Sequence, residues 1–515
     1  MPYSDESSII RTHRDVSIDD IIHYIEEKRP EIDASEVRRA YTFAADAHGE
    51  QKRKSGDLYI VHPLATALFL TELNMDQATI IAGLLHDVPE DTAVSIDDVR
   101  AAFGEEVAFL VQGVTKLGQL KYRGEDRYVE NLRRMFLAMA QDARVILIRF
   151  ADRIHNLRTL SALPPEKQRR IALESLEIHA AIANRLGMGE LKGIIEDLAF
   201  PYVYPEEYEW ITKQMDLQWK QKEEFIADFV DYLKQEFDDR GVELVAMHGR
   251  RKHLYSLYKK LIKNNRDTGK IYDMVAVRVI VPNIAKCYET LGIIHEICKP
   301  LKGRIKDYIS QPKPNGYQSL HTTVFSPARF ATNEMYAEIV EIQIRTPEMH
   351  QEAEFGIAAH WQYKETKDGA KRTDPRMNWM KELVDLQENV TDTHQLLETL
   401  KIDIFQNTIF VFTPSGDVIE LPEDASAVDF AYKIHSDLGN KCSGVKINGQ
   451  QASLSDPLHS GDVVEILINP SRSGPSAGWL SFVKTTGARQ QIRQYVNKKN
   501  GHFFERLGLR RKKSD

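Results

Sequence analysis

The sequence predicts a multi-domain α+β protein: an all-α region first, a mixed α/β region in the middle and a small β-grasp unit near the end. Three observations predict it. Apolar stretches of helical character, 63–73, 78–85 and 146–157, occupy the first part, with polar residues at their ends or on one face. Two β-branched runs, 271–281 and 337–346, follow and read as strands. A hairpin at 407–421, with a Pro-Ser-Gly turn, precedes a helix at 427–438 and strands at 444–448 and 462–468.

Composition bounds the rest. A chain of 515 residues holds about three domains. Its 42% hydrophobic and 28% charged residues describe an ordinary globular protein. No apolar run is long enough to span a bilayer, and the N-terminus lacks a signal-peptide pattern, so no membrane association is expected. Cys287, Cys298 and Cys442 are too few for a disulfide framework, which predicts a cytoplasmic location. The net charge of −8 argues against a protein that coats nucleic acid, so anion binding is expected to be local.

In the helical region, His86-Asp87 ends the apolar stretch 78–85, and Glu90-Asp91 follows within a turn. His62 sits just before Pro63, at the expected start of a helix. Asp152 interrupts the apolar run 146–157, with Asn156 four residues on and on the same face. Each residue alone reads as a helix cap or a satisfied core polar group. Together His62, His86, Asp87 and Asp152 make an N2O2 set suited to Mn²⁺, with Glu90 and Asp91 placed to orient a water.

The middle region concentrates positive charge. His248 to His253 reads as the opening of a helix, with Arg250, Lys252, Ser256 and Lys260 able to share a phosphate-binding face. A basic helix is more often a solvated surface. The strands change that weighting: Asp273 lies near the start of one, and Glu341, Gln343 and Arg345 point one way from the other. One carboxylate on each of two strands suits Mg²⁺ on a nucleoside triphosphate. Arg304 and Lys306 alternate on an expected strand edge, and the turn Asn315-Gly316 presents Tyr317 for stacking on a base.

These residues resemble the RelA/SpoT-homologue (Rel) family of stringent-response enzymes. His62…His86-Asp87…Glu90-Asp91…Asp152…Asn156 resembles its HD hydrolase domain. Gly249 through Asp273, Arg304-Ile305-Lys306-Asp307, Asn315 to His321, Glu341 to Thr346 and Ala353 to Trp361 resemble its nucleotidyltransferase-like (p)ppGpp synthetase domain. The resemblance implies pyrophosphate transfer from ATP to the 3′-hydroxyl of GDP or GTP, and Mn²⁺-dependent removal of the 3′-pyrophosphate of (p)ppGpp. It implies Mg²⁺ on Asp273 and Glu341, with Glu341 also the base. Phosphate contacts would come from Arg250, Lys252, Lys260, Arg304, Lys306 and His321; Tyr317 would stack on the acceptor guanine, and Arg53-Lys54 on that of (p)ppGpp. The basic Arg304-Ile305-Lys306-Asp307 motif resembles bifunctional members.

The hairpin and the segment after it resemble the TGS domain of the same family, which places His435 against deacylated tRNA and implies a ribosome partner. The expected divisions are hydrolase 1–197, linker 198–219, synthetase 220–395, TGS 403–469 and a basic helical tail 470–515, without the zinc-finger-like and ACT regions of longer members. Coupling between the two sites is expected through 196–219. The alternatives are a hydrolase whose synthetase domain is a nucleotide sensor, or a tRNA- and ribosome-binding sensor with residual catalysis.

Overall fold

Helix-start signals in the sequence act as such in the structure. Ser17 forms a capping box with Asp20, Asp33 caps Ala34–His48, and Asp76 caps Gln77–Leu85. This computed structural model describes residues 16–115, 137–267, 275–313, 315–330, 338–359, 408–415, 417–459, 461–472, 474–485 and 487–496. The chain divides into two compact units, Met1–Leu386 and Gln387–Asp515.

The first unit begins as packed helices. Val61–Glu72, Gln77–Leu85 and Arg144–Arg158 are apolar on most sides and bury most of their residues. A Cβ on Gly83 would come within 2.5 Å of a Leu70 methyl, so glycine lets the first two approach without displacing that side chain. The helix expected from Pro63 starts at Val61, which puts His62 in its first turn.

The segment 198–219, expected as a linker, is helical. Gly189–Val203 runs into Pro205–Asp239, 35 residues long, with the break at Tyr204 and the proline at the next helix start. Phe200, Ile211, Met215 and Trp219 form one buried cluster with Leu257 and Leu261 of the middle region. Ile211, Met215 and Trp219 recur every four residues, so one helix face carries apolar groups into that shared core.

The sheet of the middle region has the order β1-β2-β6-β5-β3, with β4 beside β5. Its strands are β1 (Ala246–Arg251), β2 (Val275–Ile280), β3 (Lys299–Pro300), β4 (Lys306–Asp307), β5 (Leu320–Phe325) and β6 (Ile339–Arg345). β2 and β6 are parallel; the other pairs are antiparallel. One face packs Val277, Val279, Ile342, Ile344 and Val324 against the helices Pro205–Asp239 and Ile284–Ile297. The other aligns Arg250, Ala276, Glu341 and Thr323 across four strands, and beside them His248, Arg278, Gln343 and His321.

One local expectation is corrected here. His248 to Arg251 belongs to strand β1, and the helix begins only at Leu254. Pairing along the full length of β2 outweighs a helix-like charge pattern. Arg250 therefore shares no helix face with Ser256 and Lys260. The first β-branched run forms its strand only from Val275, and Asp273 lies outside the described residues.

In the second unit the hairpin β7 (Thr408–Phe412) and β8 (Val418–Pro422) precedes the helix Ala427–Ile434 and the sheet β10-β9-β11, built from Gln450–Ala452, Cys442–Ile447 and Val464–Ile468. Phe412 bridges Val463 in parallel, as a β-grasp requires. The helix expected to run to Leu438 stops at Ile434; His435 is extended between two helices, with its imidazole accepting from the Asp437 amide. Trp479, Val483, Ala488 and Ile492 pack on Val428 and Ala431, and Asp429 accepts from the Lys484 and Thr485 amides. The expected boundary at 469/470 thus falls within one core; residues 497–515 lie outside the described residues. All three cysteines are buried and free. No helix among the described residues is long and apolar enough to cross a membrane.

Candidate active sites

The first site forms where three helices meet. His62 enters from the first turn of Val61–Glu72, His86 from the end of Gln77–Leu85, and Asp152 from the middle of Arg144–Arg158. His62 Nε2 lies 3.3 Å from Asp152 Oδ1 and 3.4 Å from Asp87 Oδ2; His86 Nε2 lies 3.2 Å from Asp87 Oδ1. His86 donates from Nδ1 to the Gly83 carbonyl at 2.8 Å, which leaves Nε2 as a lone pair. That buried Nε2 has no hydrogen-bond partner among the described residues. Lone pairs and carboxylates facing one another are the donor set of a divalent cation, so the residues fit the expected metal. Asp152 stays well below the usual carboxylate range although it is buried, because the Arg149 guanidinium beside it favours its charge.

Glu90 and Asp91 sit at the rim. Glu90 is exposed overall, but crowding of its carboxyl group, and then the Asp87 charge, push it up to about 7. The Tyr59 hydroxyl bridges Asp91 and Asp87, and the Tyr59 ring stacks on His48. Arg53 reaches Asn156 Oδ1 at 2.6 Å and His155 Nδ1 at 3.1 Å; Lys54 is exposed beside it. Tyr59, Arg149 and His155 were not picked out from sequence. Their signal is spacing: each stands three residues from a metal-set residue or beside Asn156.

The second site lies on the polar face of the sheet. Glu341 accepts from His321 Nδ1 at 2.9 Å and from Gln343 Nε2 at 3.0 Å. Burial would raise its pKa, but these bonds and the Lys252 charge outweigh it and hold it at about 2. The Tyr317 hydroxyl donates to His321 Nε2 at 2.7 Å. With both nitrogens engaged, His321 links Tyr317 to Glu341 and is not the open phosphate donor expected. Lys313, unnoticed in the sequence, places its ammonium 4.5 Å from the Tyr308 ring and 4.9 Å from that of Tyr317. Arg304 and Lys306 are exposed, Lys306 opposite His321 in the β4–β5 pair. The Asn315 side chain accepts from the Tyr317 amide and donates to the Asn184 carbonyl in the helical region, so it shapes the turn and touches the neighbouring domain.

Two residues expected on the phosphate-binding face, Arg250 and Ser256, and the unexpected Lys259 and His253 are held by carboxylates of the helix Gly189–Val203. Arg250 pairs with Glu190 at 3.2 Å, Ser256 donates to Glu196 at 3.3 Å, and Lys259 pairs with Glu196 at 2.7 Å. His253 bridges Asp197 at 2.9 Å and Glu190 at 3.3 Å. Burial opposes its charge, but these two carboxylates raise it to about 9. Glu354, partly buried, pairs with Arg278 of the same face at 2.9 Å and with Arg345 at 3.5 Å.

Comparison with known proteins matches three regions: an HD domain over residues 40–189, the region found in RelA / SpoT proteins over 249–368, and a TGS domain over 409–468. The chain is 45% identical to a GTP pyrophosphokinase of Myxococcus xanthus, covering 94% of this chain and 63% of that one. It is 46% identical to a guanosine-3′,5′-bis(diphosphate) 3′-pyrophosphohydrolase of Aquifex aeolicus, covering 93% and 67%. Against the bifunctional (p)ppGpp synthase/hydrolase SpoT of Escherichia coli the figures are 43%, 91% and 65%. The chain thus spans roughly two thirds of the length of these relatives, and identity of this degree runs through both polar sites and the β-grasp unit: it belongs to the RelA/SpoT family.

Proposed function

We propose that the chain is bifunctional, transferring pyrophosphate from ATP to the 3′-hydroxyl of GDP or GTP at the sheet and removing the 3′-pyrophosphate of (p)ppGpp among the helices. The observation that carries this reading is that one unit holds two polar centres of opposite kind. One is a set of imidazole nitrogens and carboxylate oxygens that converge from three helices. The other is an ionised carboxylate set among cationic and aromatic side chains. The relatives named for each reaction support it.

For synthesis, Glu341 stays ionised at neutral pH and can accept the proton of the 3′-hydroxyl as that oxygen attacks the β-phosphorus of ATP and AMP leaves. His321 holds the carboxylate, and Tyr317 and Tyr308 offer ring faces to the acceptor base. Lys252, Lys260, Arg304, Lys306 and Lys313 would neutralise phosphate charge. Mg²⁺ is assigned to Glu341 and Asp273.

For hydrolysis, His62, His86, Asp87 and Asp152 would hold Mn²⁺, which supplies a water of lowered pKa. Glu90, near neutrality, would take the proton of the attacking water, and Asp91, held by Tyr59, would help to orient that water. Arg53 and Lys54 would contact guanine. His435, exposed at a helix break, is assigned to the end of a deacylated tRNA, and with it the β-grasp unit to the ribosome. The carboxylates of Gly189–Val203 on Arg250 and Ser256 favour a state in which donor binding is disfavoured; triphosphate must displace them.

Two incubations test the whole reading: ATP and GTP with Mg²⁺, and (p)ppGpp with Mn²⁺, each resolved by anion exchange. New tetra- or pentaphosphate in the first and its loss in the second are expected. Turnover in only one refutes bifunctionality.

A further inference from the structure

His155 is buried one turn beyond Asp152, outside the set of four metal-type ligands, yet it touches that set. Its Nδ1 lies 2.8 Å from His62 Nδ1 and 3.1 Å from Arg53 Nη1. A guanidinium nitrogen only donates, so His155 Nδ1 must be an acceptor. A proton there would point at the arginine. With His155 Nδ1 unprotonated, the hydrogen bond to His62 can exist only if His62 carries its proton on Nδ1. His62 Nε2 is then a lone pair, facing Asp152 and Asp87.

We propose that His155 is a positioning residue for the metal centre: Arg53 fixes its tautomer, and His155 in turn fixes that of His62, presenting Nε2 to the cation. This rests on the hydrolase reading of the site. The neighbouring imidazole shows the simpler form of the same device, since His86 Nδ1 is committed to the Gly83 carbonyl. Arg53 has a second branch. Its Nη2 donates to Asn156 Oδ1 at 2.6 Å, which turns the Asn156 amide nitrogen toward Asp152 Oδ1. One side chain therefore orients two of the four ligands, from different helices, without touching the metal position. Any ligand that engages Arg53 is thereby linked to metal affinity, and the linkage is reciprocal.

The test is Mn²⁺ binding by the full chain, read as free Mn²⁺ by electron paramagnetic resonance and needing no turnover. His155→Leu, which has no acceptor, is expected to weaken binding about 10–100-fold. His155→Gln restores a carbonyl acceptor and is expected to recover most of it. Arg53→Met should also weaken binding, and its effect should shrink in the His155→Leu background, because part of it runs through His155. Wild-type affinity in His155→Leu, or full additivity of the two substitutions, overturns the relay. Thermal melts by circular dichroism establish that each variant is folded. If His155→Leu is not, Arg53→Met decides alone, and unchanged Mn²⁺ affinity in it overturns the relay. A wild-type chain that binds no Mn²⁺ removes the metal reading itself, and the relay with it.

Discussion

Glu341 and Glu90 are the same side chain in opposed environments. Hydrogen bonds from His321 and Gln343 keep Glu341 ionised down to about 2, whereas crowding and the Asp87 charge bring Glu90 to about 7. Two carboxylates thus suit two proton tasks in one chain. Glu341→Gln keeps the shape and removes the base, so synthesis should fall by about 10²–10⁴-fold while (p)ppGpp hydrolysis is retained. Loss of both activities in that variant would show that Glu341 serves the fold. His86→Ala removes a buried lone pair and should abolish Mn²⁺ binding and hydrolysis while leaving synthesis. Isothermal titration with Mn²⁺ checks it, and an unchanged isotherm would exclude His86 as a ligand.

At the scale of elements, the helix Gly189–Val203 joins the helical region to the sheet region through its carboxylates. Its carboxylates hold Arg250, His253, Ser256 and Lys259, and a Cβ on Gly193 would fall 2.1 Å from the His253 ring. Glu190→Gln combined with Glu196→Gln should release Arg250 and Ser256 and tighten ATP binding about fivefold or more. Unchanged ATP affinity would mean the contact is structural only. The contact also carries a pH dependence. His253 is raised from 6.5 to about 9 by Asp197 and Glu190, so its stabilisation is full below about 6.5 and is lost as pH rises through about 9. Melting temperature should therefore fall across that window in the wild type, and His253→Gln should flatten the fall.

For the whole molecule, the decisive feature is the core shared by the helical region and the sheet region. Phe200 is fully buried, with Tyr208, Tyr255 and Tyr258 around it, and Leu257 and Leu261 share its cluster. A second tie is Gly356, at φ +55°: a Cβ there would meet the Leu186 carbonyl at 2.3 Å, while the Ile357 amide donates to that same oxygen. Phe200→Ala should cost about 3–5 kcal/mol in the first unit, measured by denaturant unfolding. Because the cluster spans both regions, they should unfold together; separate transitions for hydrolysis and synthesis would contradict a common core.

Much of the chemistry was legible in the linear order. Residue types that are costly near a core, such as His86, Asp87 and Asp152, announce themselves wherever they interrupt apolar periodicity, and alternation alone put Glu341, Gln343 and Arg345 on one face. The helix of 78–85, the hairpin of 407–421 and the strand of 337–346 follow from local period and turn chemistry. Other features depended on partners remote in sequence. The charge pattern of 248–253 looks helical until β2 offers a ladder, and His321 looks like a phosphate donor until Glu341 and Tyr317 take both its nitrogens. The segment 198–219 looks like a linker until Leu257 and Leu261 complete its core, and His155 looks like a filler until Arg53 and His62 converge on one atom. Sequence determines which groups are present and with what local period; only the tertiary structure decides which of them face one another, because hydrogen bonds and burial act through space and not along the chain.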